Sequence, residues 1–292
     1  MQDRFGLGWR PQLAAGILAN LDRVDVVEVI ADDYVSAPRR QLRALRTLAT
    51  QVPIVLHGVT MGLASAVPVA DWRLARMSRL VEQLQPASWS EHLAFVRGGG
   101  IEIGHLAAPP RTAATIAGTV RNLQQAAGMV GAKPLVENVA TLIDPPGSTT
   151  DEATWITTIL EQSGCDLLLD LHNLYANAVN FGFDPFDYLA RLPADRIAAI
   201  HLAGGRWVPV PGERDRGSVR RLLDDHLHDI PEPVYALLRK VGILVKRPLT
   251  VIIERDGQYP AIEQLLAELE RAREALQQGR TQQLDTDKEH AA

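Results

Sequence analysis

The chain has 292 residues, of which 46% are hydrophobic and 22% charged, the composition of an ordinary globular protein. Its net charge of -5 and the lack of a basic run argue against nucleic-acid binding, and no window approaches the roughly 18 apolar residues of a membrane span. The N-terminal stretch has no signal-peptide core, and the single cysteine, Cys165, excludes an intramolecular disulfide, so we expect a cytoplasmic protein.

Short apolar runs alternate with longer helical patterns along the chain. The predicted strands cover 5–9, 24–30, 53–58, 88–95, 134–138, 167–170, 197–202 and 249–254. The predicted helices cover 11–21, 39–50, 71–84, 112–130, 151–162, 187–192, 231–241 and 260–277. This alternation predicts an α/β fold, a single (β/α)8 barrel of the TIM type over 1–278, with a polar, disordered tail at 279–292. A doubly wound open sheet is the alternative, but no G-x-G-x-x-G follows the first strand.

The sixth predicted strand ends in polar side chains. Its apolar run, bounded by Gly164, ends on Asp170, and His172 and Asn173 follow at once. Such groups at the end of a buried strand are costly unless they are paired or bind a metal. The competing interpretation is that Asp170 caps the next loop. Cys165 just before the run is typical of a small packed hydrophobe rather than a nucleophile.

The other predicted strands also end in residues that can ligate metals. Those at or just past the strand ends, or in the long loop after the seventh strand, are Glu28, Asp32, Asp33, His57, Glu91, His92, Glu137, Asn138, Asp170, His172, Asn173, His201, Asp224, His226, His228, Glu254 and Asp256. In a TIM barrel all of these ends lie on one face.

So many histidines and carboxylates at one barrel mouth predict a metal centre. Without cations the carboxylates would repel one another or remain unsatisfied. Nitrogen and oxygen donors without cysteine favour Fe, Mn or Zn, and their number exceeds what one ion can use, which indicates two or three ions. Gly98 to Gly100 could cradle an anion, but a flexible turn is the simpler interpretation.

Several stretches resemble the multinuclear non-heme iron-dependent oxidative enzymes, whose best-known member acts in methanobactin biosynthesis. The matching stretches are LHGVTMGL (56–63), SEHLAF (90–95), LAAPPRT (106–112), LVENVA (135–140), GCDLLLDLHNLYANAVNFGFDP (164–185), IHLAGG (200–205), DDHLHDIPEPVYALL (224–238) and IIERD (252–256). The resemblance spans nearly the whole chain and implies a TIM-type barrel of the xylose-isomerase-like kind.

The resemblance also implies a ligand set for two or three irons. Carried over by motif, the ligands are His57, His92, Glu137, Asp170, His201, Asp224, His226 and Glu254. Asn173 is a further candidate ligand, while Glu28 and Asn138 would support the ligands or face the substrate. Asp170, His172 and Asn173 are our candidate catalytic residues.

The chemistry that the resemblance implies is O2-dependent oxidation of cysteine residues in a ribosomally made precursor peptide. We expect a small partner protein that delivers the leader of that peptide. We expect no binding to nucleic acid or to a membrane. The chain departs from the family pattern at Asp32-Asp33-Tyr34, at His172 where Asn is usual, at Arg255, and in the polar insert 205–221.

Three alternatives share parts of this pattern. A divalent-metal sugar isomerase or epimerase would have the same fold and ligand types, but it would need a catalytic Lys or an acid–base carboxylate pair. A trinuclear-zinc endonuclease of the same superfamily would need a basic groove, which the net charge of -5 disfavours. A non-enzymatic metal-binding scaffold would not explain ligands from so many strands.

Overall fold

A computed structural model describes residues 2–209 and 220–291 and shows a closed barrel of eight parallel strands. Around the barrel the strands follow the order Arg4–Gly8, Thr250–Ile253, Ile197–Leu202, Asp166–Asp170, Leu135–Glu137, Ser88–His92, Ile54–Gly58 and Val26–Ile30. The predicted TIM-type barrel is therefore confirmed. All eight barrel strands carry their carboxyl ends to one mouth, and this arrangement positions the site described below.

The eight barrel strands fall on the predicted apolar runs, although the predicted strand 88–95 ends at His92, and five further elements were not predicted. The strands are β1 (Arg4–Gly8), β2 (Val26–Ile30), β3 (Ile54–Gly58), β4 (Ser88–His92), β5 (Phe95–Gly98), β6 (Ile101–Ala107), β7 (Leu135–Glu137), β8 (Asp166–Asp170), β9 (Ile197–Leu202), β10 (Gly205–Pro209), β11 (Arg220–Asp224) and β12 (Thr250–Ile253). The helices are α1 (Ala14–Leu18), α2 (Arg39–Ala49), α3 (Asp71–Leu84), α4 (Ala113–Val130), α5 (Glu152–Ser163), α6 (Leu171–Phe181), α7 (Pro185–Arg191), α8 (Glu232–Leu244) and α9 (Ile262–Ala291). Of the helices within the described ranges, none is long and apolar enough to cross a membrane.

Helix α6 occupies the segment after β8, where the sequence predicts a loop. Asp170 is its N-cap, because the Asp170 carboxylate accepts a hydrogen bond from the backbone N–H of Asn173 at 2.6 Å. The helix ends at Gly182, whose φ of 75° is the left-handed conformation that favours glycine. The asparagines and aromatic residues of this segment thus form a helix that begins at the barrel mouth.

Two hairpins extend from the mouth outside the barrel. Strands β5 and β6 pair antiparallel around Gly99 and Gly100, which both have positive φ, so the glycine run is a hairpin turn. Strands β10 and β11 form the second hairpin, within the polar insert 205–221. Residues 210–219 of that insert lie outside the described residues.

The C-terminal segment differs from the expected disordered tail. Helix α9 continues through 279–291, past the predicted end of the last helix at Gln277. A Cβ atom at Gly279 would lie 2.0 Å from the Arg239 carbonyl oxygen and 2.9 Å from the Gly242 Cα. Gly279 therefore does not end the helix; it permits the close approach of α9 to α8.

Candidate metal centre

The barrel register brings donors of neighbouring strands side by side. His92 at the end of β4 is the Cα partner of Glu137 on β7, and Asp170 at the end of β8 is the partner of His201 on β9. Glu254 directly follows β12, and its backbone N–H bonds to the Leu202 carbonyl. Because each strand is fixed by ladders on both sides, these side chains converge without any contribution from a loop.

Glu137 lies at the centre of the donor set and faces three histidines. Its Oε2 atom lies 3.4 Å from the Nε2 atoms of both His57 and His92. Its Oε1 atom lies 3.3 Å from His201 Nδ1. The two oxygens of one carboxylate thus face different histidines, Oε2 towards His57 and His92 and Oε1 towards His201, as in a bridging ligand.

Three overlapping groups of buried side chains have the spacing of metal ligands, each with its donor atoms within 4.8 Å of one another. The groups are Glu28, His57 and His201; His57, His92 and Glu137; and Glu137, Asp170, His201 and Glu254. Six of the eight predicted ligands therefore meet in one cluster, which we call the inner cluster (His57, His92, Glu137, Asp170, His201, Glu254). Glu28 lies beside this cluster, where its carboxylate contacts the His201 ring.

Contacts behind the histidines fix the ring orientations. His57 Nδ1 lies 2.8 Å from Ser90 Oγ, and His92 Nδ1 lies 3.2 Å from the Gly58 carbonyl oxygen. His201 Nε2 lies 2.8 Å from Glu28 Oε2. Such partners leave the other ring nitrogen aimed at the cluster and tune its basicity. Ser90 was not predicted, although its position two residues before His92 on β4 is a usable signal.

Asp170 caps the segment that follows it, and its role as a metal ligand stays a prediction. Its Oδ1 caps helix α6, while its Oδ2 is buried without a hydrogen-bond partner. Asn138 supports the same strand end, because its Nδ2 donates to the Asp170 carbonyl oxygen at 3.0 Å and its Oδ1 accepts from the Asp170 N–H at 2.9 Å. Asp170 is thus a cap with one oxygen left for a ligand.

Asp224 and His226, which we call the outer pair, lie beside the inner cluster at the end of β11. Asp224 Oδ2 is 2.9 Å from His226 Nε2, and His226 Nδ1 is 3.7 Å from Glu254 Oε2. His226 has a φ of 55°, a strained conformation for a residue with a side chain, and Asp256 Oδ2 lies 3.1 Å from its Nδ1. Backbone strain of this kind persists only where surrounding contacts impose it.

The candidate catalytic residues His172 and Asn173 lie in different surroundings. His172 is fully buried, with Nδ1 2.7 Å from Asp224 Oδ1 and Nε2 without a partner. A Cβ at Gly205 would lie 2.6 Å from the His172 ring, so the β10–β11 hairpin covers it. Asn173 lines the cavity at the mouth, and its Oδ1 has no hydrogen-bond partner. The catalytic role of these two residues stays a prediction.

The buried carboxylates of the site are balanced by positive charge on neighbouring histidines. Burial, then the charges of Asp224 and Glu137, raise the pKa of Asp170 well above its ordinary value. Burial alone would lower the pKa of His92, but Glu137 and Glu91 outweigh it and raise that pKa to about 9. Burial also opposes the charged form of Glu254, but His201 and His226 hold its pKa well below the usual range. Protons on the histidines thus balance the carboxylates.

Unpaired buried atoms test whether metal ions fit this site. Most of the buried side-chain atoms without a hydrogen-bond partner in the described chain belong to it: Glu28 Oε1, Glu137 Oε2, Asp170 Oδ2, His172 Nε2, Asn173 Oδ1, His201 Nδ1 and His226 Nε2. Native proteins leave few such atoms without a partner, and a bound metal ion would supply one. Imidazole and carboxylate donors suit Fe, Mn or Zn, so the residues present fit a multinuclear centre.

A cavity of about 480 Å³ opens from the inner cluster to the surface. His92, Glu137, Asn173, Asp224 and His226 form its floor. Its walls are largely apolar and come from the end of β6, the loop 139–146 and β11; they include Leu106, Val139, Leu142, Ile143, Leu222 and Leu223. An apolar cavity with a few polar groups at its base is the usual form of a ligand site.

Comparison with known proteins assigns this chain to a family. The sequence matches the RiPP precursor modification enzymes MbnB/TglH/ChrH over residues 4–277. The chain belongs to this family. A UPF0276 protein of Anaeromyxobacter sp. (strain Fw109-5) is 34% identical over 281 residues, which cover 94% of this chain and 95% of that protein.

Solved structures place this family member among xylose-isomerase-like barrels. An L-ribulose 3-epimerase has a TM-score of 0.59 at 14% identity, covering 100% of this chain and 99% of its own. A xylose isomerase domain protein from Planctomyces limnophilus has a TM-score of 0.56 at 16% identity, covering 98% of this chain and 100% of its own. At these identities the likeness concerns the fold.

Proposed function

We propose that this RiPP precursor modification enzyme oxidises cysteine residues of a ribosomally made precursor peptide, using two or three iron ions and O2. The observation that carries the proposal is the set of buried side-chain atoms without a hydrogen-bond partner at the end of the cavity. Those of Glu137, Asn173 and His226 lie on the cavity floor, and those of Glu28, Asp170 and His201 belong to the adjoining groups with metal-ligand spacing. The inner cluster would hold two irons that share Glu137, and the outer pair would take part in a third position. Bound iron would supply the activation of O2, which the side chains of the chain cannot provide.

The chain's own residues would prepare the substrate for that chemistry. A cysteine side chain entering the cavity would pass the apolar walls of Leu106 and Leu223 and reach the floor at His92 and Glu137. The walls exclude water, which strengthens the electrostatic interactions at the floor. The free Oδ1 of Asn173 is an acceptor for a peptide N–H of the substrate.

A sugar isomerase or epimerase is the competing function. Of the two features that it would need, the catalytic lysine has no counterpart among the residues that line the described cavity, which include none of Lys133, Lys240, Lys246 and Lys288. Carboxylates that could form an acid–base pair are present, so the metal content and the substrate separate the two functions. The apolar walls also suit a peptide side chain better than a polyol.

The test is metal analysis with iron spectroscopy on protein purified without oxygen, followed by a cysteine peptide and O2. Two or more irons per chain, a changed iron spectrum with the peptide, and a mass change that a serine-for-cysteine control peptide lacks are expected. Protein that holds one Mn or Mg, with no iron, and acts anaerobically on a sugar would overturn the proposal. If the peptide is oxidised, addition of a small leader-binding partner protein is expected to raise its turnover.

A further inference from the structure

The turn that carries His226 is attached to the segment after β12 by two consecutive residues. The His226 carbonyl oxygen accepts a hydrogen bond from the backbone N–H of Asp256 at 2.9 Å. The Leu227 carbonyl oxygen accepts one from the Arg255 guanidinium at 2.9 Å. From the other side, the His226 N–H donates to the Gly204 carbonyl oxygen at 3.1 Å. These are the contacts that impose the positive φ of His226.

The same residue, Asp256, also places its carboxylate behind the His226 ring. Asp256 Oδ2 lies 3.1 Å from His226 Nδ1. The other ring nitrogen, Nε2, is buried without a hydrogen-bond partner and faces Asp224. A histidine that binds a metal through one nitrogen normally gives the N–H of its other nitrogen to a carboxylate, a carbonyl or water. The contact with Asp256 therefore leaves Nε2 as the His226 atom that a metal ion can use.

Arg10, which follows β1, holds the other oxygen of the Asp256 carboxylate. Its Nε and Nη2 atoms donate to Asp256 Oδ1 at 2.8 and 2.5 Å, and its Nη1 donates to the Trp9 carbonyl oxygen at 2.9 Å. Hydrogen bonds between two charged groups are about twice as strong as neutral ones, and the Arg10 guanidinium is buried. The Asp256 side chain is 43% exposed, so water competes for it and its contact with His226 is looser than a strand ladder.

Two other roles for Asp256 fit the structure less well. As a direct metal ligand it would need a free oxygen, but Oδ1 is engaged by Arg10 and Oδ2 by His226. Within the described residues it also belongs to none of the groups with metal-ligand spacing. A surface ion pair that serves only stability contributes little and needs no third member, whereas this one connects a buried arginine to a candidate ligand.

We propose that Asp256 and Arg10 are positioning residues for the outer metal position: Arg10 orients the Asp256 carboxylate, which in turn orients the His226 ring for metal binding through Nε2. This inference rests on the proposed function only in that a metal ion binds at the outer pair. The two members of that pair are then supported from different elements. Asp224 contacts His172 on α6, and His226 contacts the ends of β12 and β1 through Asp256 and Arg10.

The test is titration of metal-free protein with ferrous iron against a competing chelator, without oxygen and without peptide. Asp256→Asn keeps the volume of the side chain but loses its charge, so the affinity at the outer position should fall about tenfold, with a changed outer-site iron spectrum and unchanged inner sites. Arg10→Gln should give a smaller loss in the same direction. Because Arg10 acts through Asp256, the double variant should bind no more weakly than Asp256→Asn alone.

Asp25→Asn is the matched control. Asp25 precedes β2 at the opposite end of the barrel, its side chain is 38% exposed, and it pairs with Arg273 at 2.8 Å. We expect the parent affinity at every metal position in this variant. Thermal midpoints measured on the metal-free variants separate a loss of folding from a loss of binding, and if Asp256→Asn did not fold, Arg10→Gln would have to show the spectral change at the outer site.

Three results would overturn the inference: an unchanged outer affinity in Asp256→Asn, additive losses in the double variant, or no metal ion at the outer position of the parent protein. Adding a cysteine peptide and O2 afterwards tests the proposed function separately. Peptide oxidation by the parent with an unchanged outer affinity in Asp256→Asn would reject the positioning role and retain the oxidative function. A tenfold loss of outer affinity without any peptide oxidation by the parent would do the reverse.

Discussion

The inner cluster and the outer pair are held by different kinds of structure. His57, Glu137 and His201 lie on strands that are hydrogen-bonded on both sides, and each is at most 2% exposed. Asp224 and His226 depend on a hairpin outside the barrel and on a residue with positive φ. The comparison indicates that the fold alone fixes the side chains of the inner cluster. The side chains of the outer pair can move when a ligand enters the cavity.

Replacing the shared carboxylate should have the largest effect. Under the proposed function, Glu137→Gln would remove one anionic ligand from both inner positions, so we expect loss of the inner metal ions and of the proposed oxidative activity. Metal analysis of anaerobically purified protein measures this loss. Glu152→Gln is the control, since Glu152 is a buried carboxylate (13% side-chain exposure) outside the cluster. Full metal content in Glu137→Gln would show that Glu137 is not a shared ligand.

A substitution in the outer pair should show whether metal binding there is independent of metal binding at the inner cluster. Asp224→Asn is expected to lower the metal content by one ion per chain while the inner ions remain, because the inner donors do not depend on β11. Iron spectroscopy should then lose the contribution of one site. If Asp224→Asn emptied the inner cluster as well, the two regions would be one cooperative unit.

Protons should compete with metal at the inner cluster. The pKa of His92 is raised to about 9, so in metal-free protein the ring is protonated at neutral pH and cannot ligate a metal. Metal binding must release that proton, and the proton of His201 where its raised pKa keeps that ring charged, so the apparent affinity should rise at least roughly tenfold per pH unit up to about pH 9. Calorimetry in buffers of different ionisation enthalpy measures the released proton. A pH-independent affinity would contradict protonation of His92.

The sequence predicted the strand-borne part of the site better than the loop-borne part. Strand ends of a barrel meet by topology, so naming His57, His92, Glu137 and His201 needed only the apolar runs that precede them. The pairing of His172 with Asp224 depends on how hairpin β10–β11 folds over α6, and no local pattern encodes it. The continuation of α9 past Gln277 was missed for a similar reason, because the close packing of Gly279 on α8 depends on Gly242, far away in sequence.

The smallest effect should come from the side chain that joins the two regions. His172 follows Asp170 by two residues and holds Asp224 through its Nδ1 at 2.7 Å, so it orients an outer ligand from the helix that Asp170 caps. His172→Asn should weaken metal binding at the outer position about tenfold and leave the inner ions in place. His228→Asn is the control, because His228 contacts Asp225 and is 39% exposed. Competitive titration with a chelator measures the affinity, and equal values for both variants would show that Asp224 is held by the hairpin alone.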